Sequence, residues 1–479
     1  MPSLVPLLVA LVVAVACVGI GRLARGGARN LPLDFLVGYP MLGAVCFVVG
    51  LVKVNVWTML GSAAVSAAAA AASRRRRAGG TPARQPAGTP ALRSFGLLFV
   101  IVVLLCALVA APSPEHLAVA HTWVLEGRAV QLPLLAQSHR PLGIESASLP
   151  ALALLGPSGG GVASHSLHWL AAIAATWLIA RRTQSWLLTA AIVTTPALAL
   201  HLPDWPLLGL FVAMLDDEEP SAATAAGLLT SLTFVPFAAL VWIVRRKRPR
   251  WIVLAGLLFY LRAIPRFATG ERELALADFI FDPRWMQESL GAALVTLPAF
   301  ASGAVAIGSA SIAIALFFLG PSARVLVPYL AVASMSASVK NRWLAAVVVI
   351  SVVLQTAIVV SLTGRAPRAA HSAVAWLNQT LPRDSRTLVI GTSETYWLTR
   401  PARAGEAPRL SRYLDVPAPE ALKARLQDDG ITHVAVVTAR RNEERQVLSP
   451  AAQRMLAVTL DRYAANVTSR GDVTLFELR

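Results

Sequence analysis

The stretch PSPEHLAVAHTWVLEGRAVQLPLLAQSHRPLGIESASLP, residues 112–150, separates two apolar runs that each suit a membrane. The first run extends from Phe95 to Ala111, and the second begins near Val162. A connecting loop needs far fewer residues, and long loops with several ionisable groups are more often functional than spacers. We therefore expect this loop to carry function. Its ionisable residues are Glu115, His116, His121, Glu126, Arg128, His139, Arg140 and Glu145.

The composition of the whole chain indicates a polytopic membrane protein. Of its 479 residues, 56% are hydrophobic and 14% are charged, which lies outside the usual range of soluble domains. The formal net charge is +17, but the basic residues stand in short clusters between apolar runs: RRRR at 74–77, RR at 181–182 and RRKRPR at 245–250. Such clusters mark the cytoplasmic ends of membrane helices, so we expect no nucleic-acid partner.

Hydropathy predicts a mostly α fold, a transmembrane helical bundle of about 11–14 spans with a small extracytoplasmic α/β domain at its C-terminus. Residues 1–73 are predicted to be N-terminal transmembrane helices, and 74–94 a basic cytoplasmic linker rich in Gly, Pro and Ala. Residues 95–365 are predicted to form the transmembrane core with its outer loop 112–150. Alternating the spans across the membrane places residues 366–479 on the same outer face as that loop.

Two apolar runs of the core are predicted to be broken. The run from Ala222 to Val244 is long enough for one span, yet the basic cluster after it places both of its ends on the cytoplasmic side. Pro236 near its middle favours a hairpin of two short helices. The run from Leu290 to Leu319 is too long for one span, and we divide it near FASGA, residues 300–304.

Strand-like and helix-like patterns alternate in the C-terminal tail. That alternation predicts a small α/β domain. The motifs of familiar soluble enzymes, such as a Walker loop, HExxH or GxSxG, are absent from the sequence. Strands are predicted at 387–391, 433–438 and 473–478, and helices at 369–381, 419–430 and 450–463.

Ionisable groups near the outer membrane boundary are the candidates for chemistry, because they are costly to bury and often mark a substrate path. A carboxylate there could act as general base towards an acceptor hydroxyl, and an arginine could bind a phosphate leaving group. Together these roles suit sugar transfer from a lipid phosphate. The alternative is that they are ordinary interfacial residues. The candidates are Glu115 and His116; His139, Arg140 and Glu145; His201 and Asp204; Asp278, Asp282 and Arg284; and Arg324.

The sequence gives little support for a metal site. His116 and His121 are about 140° apart around a helix, so they do not share a face. We expect no structural metal, although a lone carboxylate could hold a divalent cation together with a substrate phosphate. Trp123, Trp205 and Trp285 are predicted to be membrane-interface anchors.

The segments EHLAVAHTWVLEGR (115–128) and RPLGIE (140–145) resemble the outer-loop helix, and the segment after it, of a known class of enzymes. These are the bacterial polytopic glycosyltransferases of the C-type (GT-C) fold, including family 39-like, protein mannosyltransferase and aminoarabinose-transferase relatives. In the similar segment 194–215, Asp204 takes the place of a second acidic residue of that family. The further similar segments are TTPALALHLPDWPLLGLFVAML (194–215), AAGLLTSLTFVPFAAL (225–240), ARVLVPYL (323–330), LPRDSRTLVIGTSETYWLTRP (381–401) and DDGITHVAVV (428–437).

The chain departs from the family pattern at positions that bear on catalysis. The Asp expected as general base would fall at Ala111, the following Tyr is Glu115, and the Lys expected after Thr233 is Phe234. Glu115 is one helical turn away from the Asp position, about 6 Å along the axis, and is the candidate replacement.

The resemblance implies an inverting transferase at the outer face of a bacterial inner (cytoplasmic) membrane. It would move a sugar from a polyprenyl-phosphate or polyprenyl-diphosphate carrier to an envelope acceptor. Glu115 or Asp204 would be the general base. The substrate-binding residues would be His116, His139, Arg140, Glu145 and Arg324, with the arginines contacting phosphate.

Two alternatives stay open. A chain that kept this fold and lost the reaction would bind lipid-linked glycan or scaffold an envelope complex. A secondary transporter would show two similar halves with broken helices at mid-membrane, but the sequence has no internal repeat.

Overall fold

The computed structural model describes residues 4–26, 30–75, 117–130, 132, 143–199, 201–217, 220–231, 233–246, 253, 290–319, 323–337, 342–363, 370–391, 395–404, 407–438 and 448–479. These residues form a bundle of apolar helices and a small C-terminal domain with a five-stranded sheet. The predicted fold class, a mostly helical membrane bundle with a C-terminal α/β domain, is confirmed.

The bundle is built from helices of very different lengths. The N-terminal region contains α1 (Val5–Arg25), α2 (Leu31–Val52) and α3 (Val56–Arg75). The predicted outer loop contributes α4 (Ala118–Glu126) and α5 (Gly143–Ser146), and it leads into α6 (Leu149–Thr183). A 3-10 turn, Leu202–Asp204, precedes α9. The remaining helices are α7 (Trp186–Val193), α8 (Pro196–Ala199), α9 (Trp205–Asp216), α10 (Ser221–Thr230), α11 (Phe234–Arg245), α12 (Ala292–Thr296), α13 (Ala304–Leu319), α14 (Ala323–Met335) and α15 (Arg342–Thr363).

Within the described ranges, α1, α2, α6 and α15 are long and apolar enough to cross a membrane. Leu8 and Val12 on α1, and Ile350 and Val353 on α15, are well exposed, as suits helices that face lipid. The number of spans stays a prediction, because the runs at 95–111 and 251–261 lie outside the described residues, apart from residue 253. The predicted linker 74–94 is likewise outside them from residue 76 onward.

Charged side chains join several helix termini at one end of the bundle. Arg25, at the end of α1, lies 2.7 Å from Asp34 at the start of α2 and 2.9 Å from Asp217 just after α9. Arg182, the second-last residue of α6, and Arg245, the last of α11, also contact the end of α9. We call this the arginine end. Arg25, Arg182 and Arg245, which the sequence predicts to lie on the cytoplasmic side of the membrane, therefore lie together at one end of the bundle.

The C-terminal domain packs at the opposite end of α2. There the backbone N–H of Ala129 donates to the oxygen of Gly50, and that of Val54 to the oxygen of Gly127, both at 2.7 Å. Glu126, the last residue of α4, pairs with two arginines of the C-terminal domain. We call this the domain end. The 22 residues of α2 separate the two ends by about 33 Å, so helix α4 and the C-terminal domain lie together at one end of the bundle. The membrane side of that end stays a prediction.

The outer loop does not stay at the domain end. α6 is broken at Gly156, whose φ of 67° and ψ of −170° suit essentially glycine alone. A Cβ atom on Gly160 would lie 2.7 Å from the Cα of Leu152, whereas residues eight apart in a straight helix are about 12 Å apart. Residues 149–155 therefore fold back along the rest of α6. We call residues 143–155 the re-entrant segment. The expectation that this helix begins near Val162 is wrong, because the residues on both sides of the break at Gly156 are helical from Leu149 onward.

The hairpin predicted within 222–244 is confirmed as α10 and α11. Its break lies at residues 231–233 and not at Pro236, which occupies the first turn of α11, where proline is tolerated. α10 begins just after Asp217, and α11 ends at Arg245. α10 therefore begins and α11 ends at the arginine end, and their connection points into the bundle. The predicted break near FASGA is also confirmed, since α13 begins at Ala304.

The C-terminal domain has the strand order β2-β1-β3-β5-β4. β1 pairs in parallel with β2 and β3, whereas β5 is antiparallel to β3 and β4. All six predicted elements are confirmed, and β2, β4 and α17 were not predicted. The strands are β1 (Thr387–Ile390), β2 (Ala402–Ala404), β3 (His433–Val437), β4 (Ala464–Arg470) and β5 (Val473–Leu478). The helices are α16 (Ala370–Thr380), α17 (Ala407–Leu414), α18 (Pro419–Asp428) and α19 (Pro450–Tyr463).

The sheet is covered on both faces. Leu388 and Val434 pack with buried residues of α17, α18 and α19, whereas the adjacent Val389 and Ala435 pack with those of α16. Neighbouring strand residues point to opposite faces, so each strand serves two cores. Tyr396, after β1, is instead part of the core of the helical bundle. The domain is thus anchored in the bundle by its own side chain.

Two predicted interface anchors are core residues. Trp123 and Trp205 are 0% and 3% exposed, and their indole N–H groups donate to the backbone oxygens of Val130 and Leu198. The prediction of membrane anchors is wrong for both, because each indole finds its acceptor inside the protein. Trp285 lies outside the described residues.

Candidate functional site

The tip of the re-entrant segment, residues 143–148, lies inside the bundle. Its helix α5 packs against α2 and α10. A Cβ atom on Gly43 would lie 1.6 Å from the oxygen of Gly143, and one on Gly143 would lie 2.7 Å from the oxygen of Leu229. Backbones at these distances leave room for glycine only. The two glycines thus allow a segment from the domain end to reach the middle of α2.

Glu145, a predicted substrate-binding residue, is carried into the bundle by this segment. Its side chain is partly buried, and it lies in the neighbourhood of the hydroxyl of Tyr39, a residue of α2 that is 0% exposed. Ser148 lies beside the same hydroxyl. An ionisable residue inside a membrane bundle is costly and marks a functional site by default. Glu145 is therefore the first element of the candidate site.

A buried histidine connects Tyr39 to α6. The hydroxyl oxygen of Tyr39 is 3.3 Å from Nδ1 of His168, and the same nitrogen is 2.7 Å from the backbone oxygen of Ser164. The two rings are nearly perpendicular, with centroids 5.9 Å apart. The sequence reading did not select either ring. The available signal was that a tyrosine and a histidine each interrupt an apolar run.

Two serine hydroxyls add to the polarity of this region. The Oγ atoms of Ser146 and Ser164 are fully buried and have no hydrogen-bond partner among the residues that the structure describes. A buried hydroxyl without a partner costs about 1–3 kcal/mol. Such groups are typical of places that bind water or a polar ligand.

The α10–α11 hairpin brings a second polar tip to the same region. The hydroxyls of Ser231 and Thr233 are 2.8 Å apart, and the hydroxyl of Tyr329 in α14 donates to the backbone oxygen of Thr233. Leu229, near the end of α10, contacts Gly143 of the re-entrant segment. Two chain breaks, one entering from each end of the bundle, therefore meet inside it. Broken helices at membrane depth occur where they are buried in protein or line a cavity.

Asp204, a predicted general base, lies in the same layer of the bundle. The turn that contains it packs against α6. α6 and α9 pack side by side, and their ends meet where Arg182 and Asp216 are 3.0 Å apart. Asp204 lies 12 residues before Asp216, which is about 18 Å along the axis of α9. The same distance measured back along α6 from Arg182 reaches Leu170. That residue is less than one turn from His168, so the carboxylate and the histidine share one level along the bundle axis.

Most of the other predicted site residues are not described by the structure. Arg324 lies in the first turn of α14, but its side chain is outside the described part of the chain. The structure thus places Glu145 and Asp204 in one layer, on different elements, and the assignments of the others stay predictions. The candidates outside the described ranges are Glu115, His116, His139, Arg140, Asp278, Asp282 and Arg284.

A separate charged cluster joins α4 to the C-terminal domain. The two carboxylate oxygens of Glu126 accept hydrogen bonds from Arg386 at 2.7 Å and from Arg403 at 2.9 Å. The carboxylate is largely buried, with 7% of its side chain exposed. The sequence reading noted Glu126 as an ionisable loop residue but gave it no partner, because its partners are far away in the chain.

Tyr396 makes the second contact of this junction. Its hydroxyl donates to the backbone oxygen of Pro157 at 2.5 Å, and its ring centroid is 5.3 Å from that of His121 in α4. Burial lowers the pKa of His121 to about 4, so the imidazole is neutral near pH 7. A neutral histidine and a doubly paired carboxylate suit the attachment of a domain better than proton transfer.

Metal-binding side chains are not clustered in the described part of the chain. No group of three or more His, Cys, Asp or Glu residues that could hold a metal ion occurs there. A divalent cation at the candidate site would therefore need ligands from a substrate phosphate as well as from Glu145 or Asp204.

No protein-family profile and no curated protein matches this sequence. Among solved structures, the chain is similar to ArnT from Cupriavidus metallidurans bound to undecaprenyl phosphate, with 14% identity and a TM-score of 0.49 over 81% of this chain and 98% of that chain. It is also similar to the arabinofuranosyltransferase AftD from Mycobacteria, with 15% identity and a TM-score of 0.40 over 82% of this chain and 40% of that one. Likenesses at this level carry no argument about chemistry, which has to come from the residues of this chain.

Proposed function

We propose that this protein is a GT-C-like membrane glycosyltransferase that moves a sugar from a polyprenyl-phosphate or polyprenyl-diphosphate carrier to an envelope acceptor. The observation that carries the proposal is the position of Glu145. A loop that starts at the domain end places this carboxylate inside the bundle, in the layer that also holds Asp204. A polar layer within an apolar bundle suits a donor whose head is charged and whose tail is lipid.

The two re-entrant tips support this assignment. The outer-loop tip and the α10–α11 tip bring loop backbone and hydroxyl, phenol and carboxylate side chains into the middle of the bundle. Sugar hydroxyls and phosphate oxygens are recognised by such groups. Unbroken apolar helices would offer neither free backbone groups nor polar side chains at this depth.

The roles follow from the chemistry of the side chains. An inverting transfer needs one general base near the acceptor hydroxyl, and Asp204 or Glu115 takes that role. Glu145, His116 and His139 bind substrate hydroxyls. Arg140 and Arg324 hold the phosphate of the leaving group through paired donors. A divalent cation would bind between that phosphate and a lone carboxylate.

The proposed orientation places the arginine end in the cytoplasm, because basic clusters are retained there. The domain end, with the outer loop and the C-terminal α/β domain, then faces the outside of a bacterial cytoplasmic membrane. The donor reaches the site from the bilayer, and the acceptor reaches it from the domain end.

The test is sugar transfer in proteoliposomes, with a radiolabelled polyprenyl-phosphate sugar as donor and a washed envelope fraction as acceptor. Asp204→Asn or Glu115→Asn should lower the rate by about 100-fold or more, because general bases contribute that much. Glu145→Gln should raise the KM for the donor or acceptor. Glu420→Gln, an exposed carboxylate of the C-terminal domain that pairs with Arg462, is the matched control and should retain the full rate.

Retention of the wild-type rate in both Asp204→Asn and Glu115→Asn would exclude the assigned base. The second candidate is a protein that binds lipid-linked glycan without turning it over. Ala111 at the position of the family's expected Asp favours that candidate. Saturable donor binding without transfer by the wild-type protein would establish it.

A further inference from the structure

We infer that Tyr396 is a positioning residue, through which the C-terminal domain holds the bend of α6 and so keeps the re-entrant segment in place. Glu145 lies on that segment, and the importance of the contact for substrate binding rests on the proposed function. The contact itself does not, because it joins the backbone beside the bend to a side chain of the C-terminal domain.

The bend at Gly156 is not fixed by its own residues. Glycine adopts positive φ about as readily as negative φ, so the φ of 67° at Gly156 is one of several conformations open to this residue. Pro157, which follows it, has no backbone N–H and cannot donate a hydrogen bond across the bend. The direction of the chain must therefore be set by packing, both that of Leu152 on Gly160 and that of other elements.

The phenol of Tyr396 contacts the backbone directly after the bend. Its hydroxyl donates to the backbone oxygen of Pro157 at 2.5 Å. Gly161 lies one turn further along α6, and a Cβ atom there would lie 2.9 Å from the phenol oxygen. The hydroxyl therefore rests against backbone that carries no side chain, and Gly161→Ala would displace it from its acceptor.

The other side of Tyr396 is firmly connected to the C-terminal domain. Tyr396 is 1% exposed and belongs to the core of the bundle, Leu398 belongs to a core of the domain, and Trp397 packs against both. The side chain of Asn378 in α16 donates to the backbone oxygen of Trp397 and accepts from the backbone N–H of Thr399, both at 2.8 Å. Three consecutive residues thus cross from one core to the other with their backbone bound to α16.

The same domain also holds the other end of the outer loop. Glu126, at the end of α4, pairs with Arg386 and Arg403. The stretch that carries Glu145 into the bundle lies between this attachment and the bend, so both of its ends are fixed to one domain. A misplacement of about 1 Å can cost a factor of about 100 in rate. Support of the loop at both ends therefore matters for a carboxylate that binds substrate.

The test is hydrogen exchange of backbone amides, measured by peptide mass spectrometry on the full-length protein in lipid nanodiscs. Tyr396→Phe removes the hydroxyl and retains the ring. It should speed exchange of residues 143–155 about fivefold, as expected for the loss of one hydrogen bond of average strength, and leave that of α2 unchanged. Tyr413→Phe is the matched control, because it removes a phenol that donates to Asp429 within the same domain at 2.5 Å. It should leave residues 143–155 as in wild type.

Gly161→Ala tests the same contact from the side of α6, and it serves also if Tyr396→Phe does not fold. It should speed exchange of residues 143–155 to a similar extent, because the added Cβ atom displaces the phenol oxygen. In the double variant the two effects should not add, since one contact cannot be lost twice. The ring atoms near that Cβ position are 3.7 Å and 3.8 Å away, so the ring alone accommodates it.

Unchanged exchange of residues 143–155 in folded Tyr396→Phe protein overturns the inference. An equal increase throughout the bundle and the C-terminal domain overturns it as well, because that is the result of a merely structural attachment. Exchange uses neither donor nor acceptor, so an inactive wild-type protein contradicts the proposed function and leaves the exchange result to decide the inference. Where transfer is measurable, Tyr396→Phe should raise the KM more than it lowers kcat, and an unchanged KM contradicts the role in substrate binding.

Discussion

The carboxylate of Glu126, at the end of the outer-loop helix, lies 2.7 Å from the guanidinium of Arg386, which is 260 positions further along the chain. A second arginine, Arg403, takes the other carboxylate oxygen. This pairing fixes the C-terminal domain to the loop that also delivers Glu145 into the bundle. The position of the domain and that of the re-entrant segment are therefore coupled through Glu126, in addition to the hydrogen bond of Tyr396 to Pro157.

Glu126→Gln should weaken this attachment. The substitution leaves two partly buried arginines without their counter-charge, and we expect a loss of about 2 kcal/mol in the stability of the domain–bundle contact. Limited proteolysis and chemical denaturation, followed by a fluorophore on the domain, would measure it. Glu420→Gln removes an exposed carboxylate of the same domain and should leave both readouts as in wild type. Equal protease resistance of the two variants would contradict the role of Glu126.

Gly43→Ala should displace the re-entrant tip. The added Cβ atom would lie 1.6 Å from the backbone oxygen of Gly143, so the segment has to move, at a cost of roughly 1–3 kcal/mol. Thermal unfolding in detergent and carbodiimide labelling of Glu145 would report the change. Gly61→Ala in α3 is the control, because nothing lies within 4 Å of its Cβ position, and alanine there should stabilise the helix slightly. Similar effects of both substitutions would contradict the close approach.

The stability of the protein should fall in mild acid because of His121. Burial lowers its pKa in the folded state to about 4 from the ordinary value of 6.5. Between these values the unfolded chain binds a proton that the folded chain does not, so stability rises with pH and is lost as pH falls below about 6.5. The whole shift corresponds to an effect on the order of 3 kcal/mol.

The measurement is denaturant unfolding at pH 7.5, 6 and 5 for the wild-type protein and for His121→Phe. Phenylalanine retains the ring contact with Tyr396 but cannot take up a proton. The variant should therefore lose part of the pH dependence. Burial also lowers the pKa of His433, so some dependence should remain. The same slope in both proteins would show that His121 titrates normally.

Arg25→Gln should be the most damaging single change at the arginine end. Its guanidinium serves both Asp34, whose side chain is 0% exposed, and Asp217. Removing one partner of a buried pair costs about 3–5 kcal/mol, and the loss here should lie at the lower end of that range, because Asp34 retains Arg22 at 3.1 Å. The yield of folded protein and its midpoint of unfolding in detergent would show this. Arg182→Gln is the comparison, since that arginine is 39% exposed and should cost less than about 1 kcal/mol. Equal losses would contradict the burial argument.

The parts of the fold that local patterns determine could be predicted from the sequence. The helix Pro450–Tyr463 begins at a serine cap and a proline, and β5 is an alternating apolar strand, so each is complete within a short segment. β4 was missed because Ala464–Arg470 is polar and mostly exposed. It is a strand only because its backbone pairs with β5.

The candidate site could be predicted only in part, for the same reason. Glu145 and Asp204 were selected because charged residues are rare beside apolar runs. Tyr39 and His168 were not predicted as site residues. Their role depends on a contact between two residues that are 129 positions apart in the chain. The fold-back at Gly156 likewise depends on the contact between Leu152 and Gly160, although GPSGGG, residues 156–161, contains the Gly, Pro and Ser residues that are typical of a break.

The contact between Gly143 and Leu229 also has a consequence for biogenesis. The chain is inserted into the membrane from its N-terminus, and the outer loop emerges long before α10 is made. The tip of the re-entrant segment cannot reach its final place until residue 229 has been synthesised and the α10–α11 hairpin has entered the bundle. Delivery of Glu145 into the interior is therefore a late event of assembly, which follows the insertion of the helices around it.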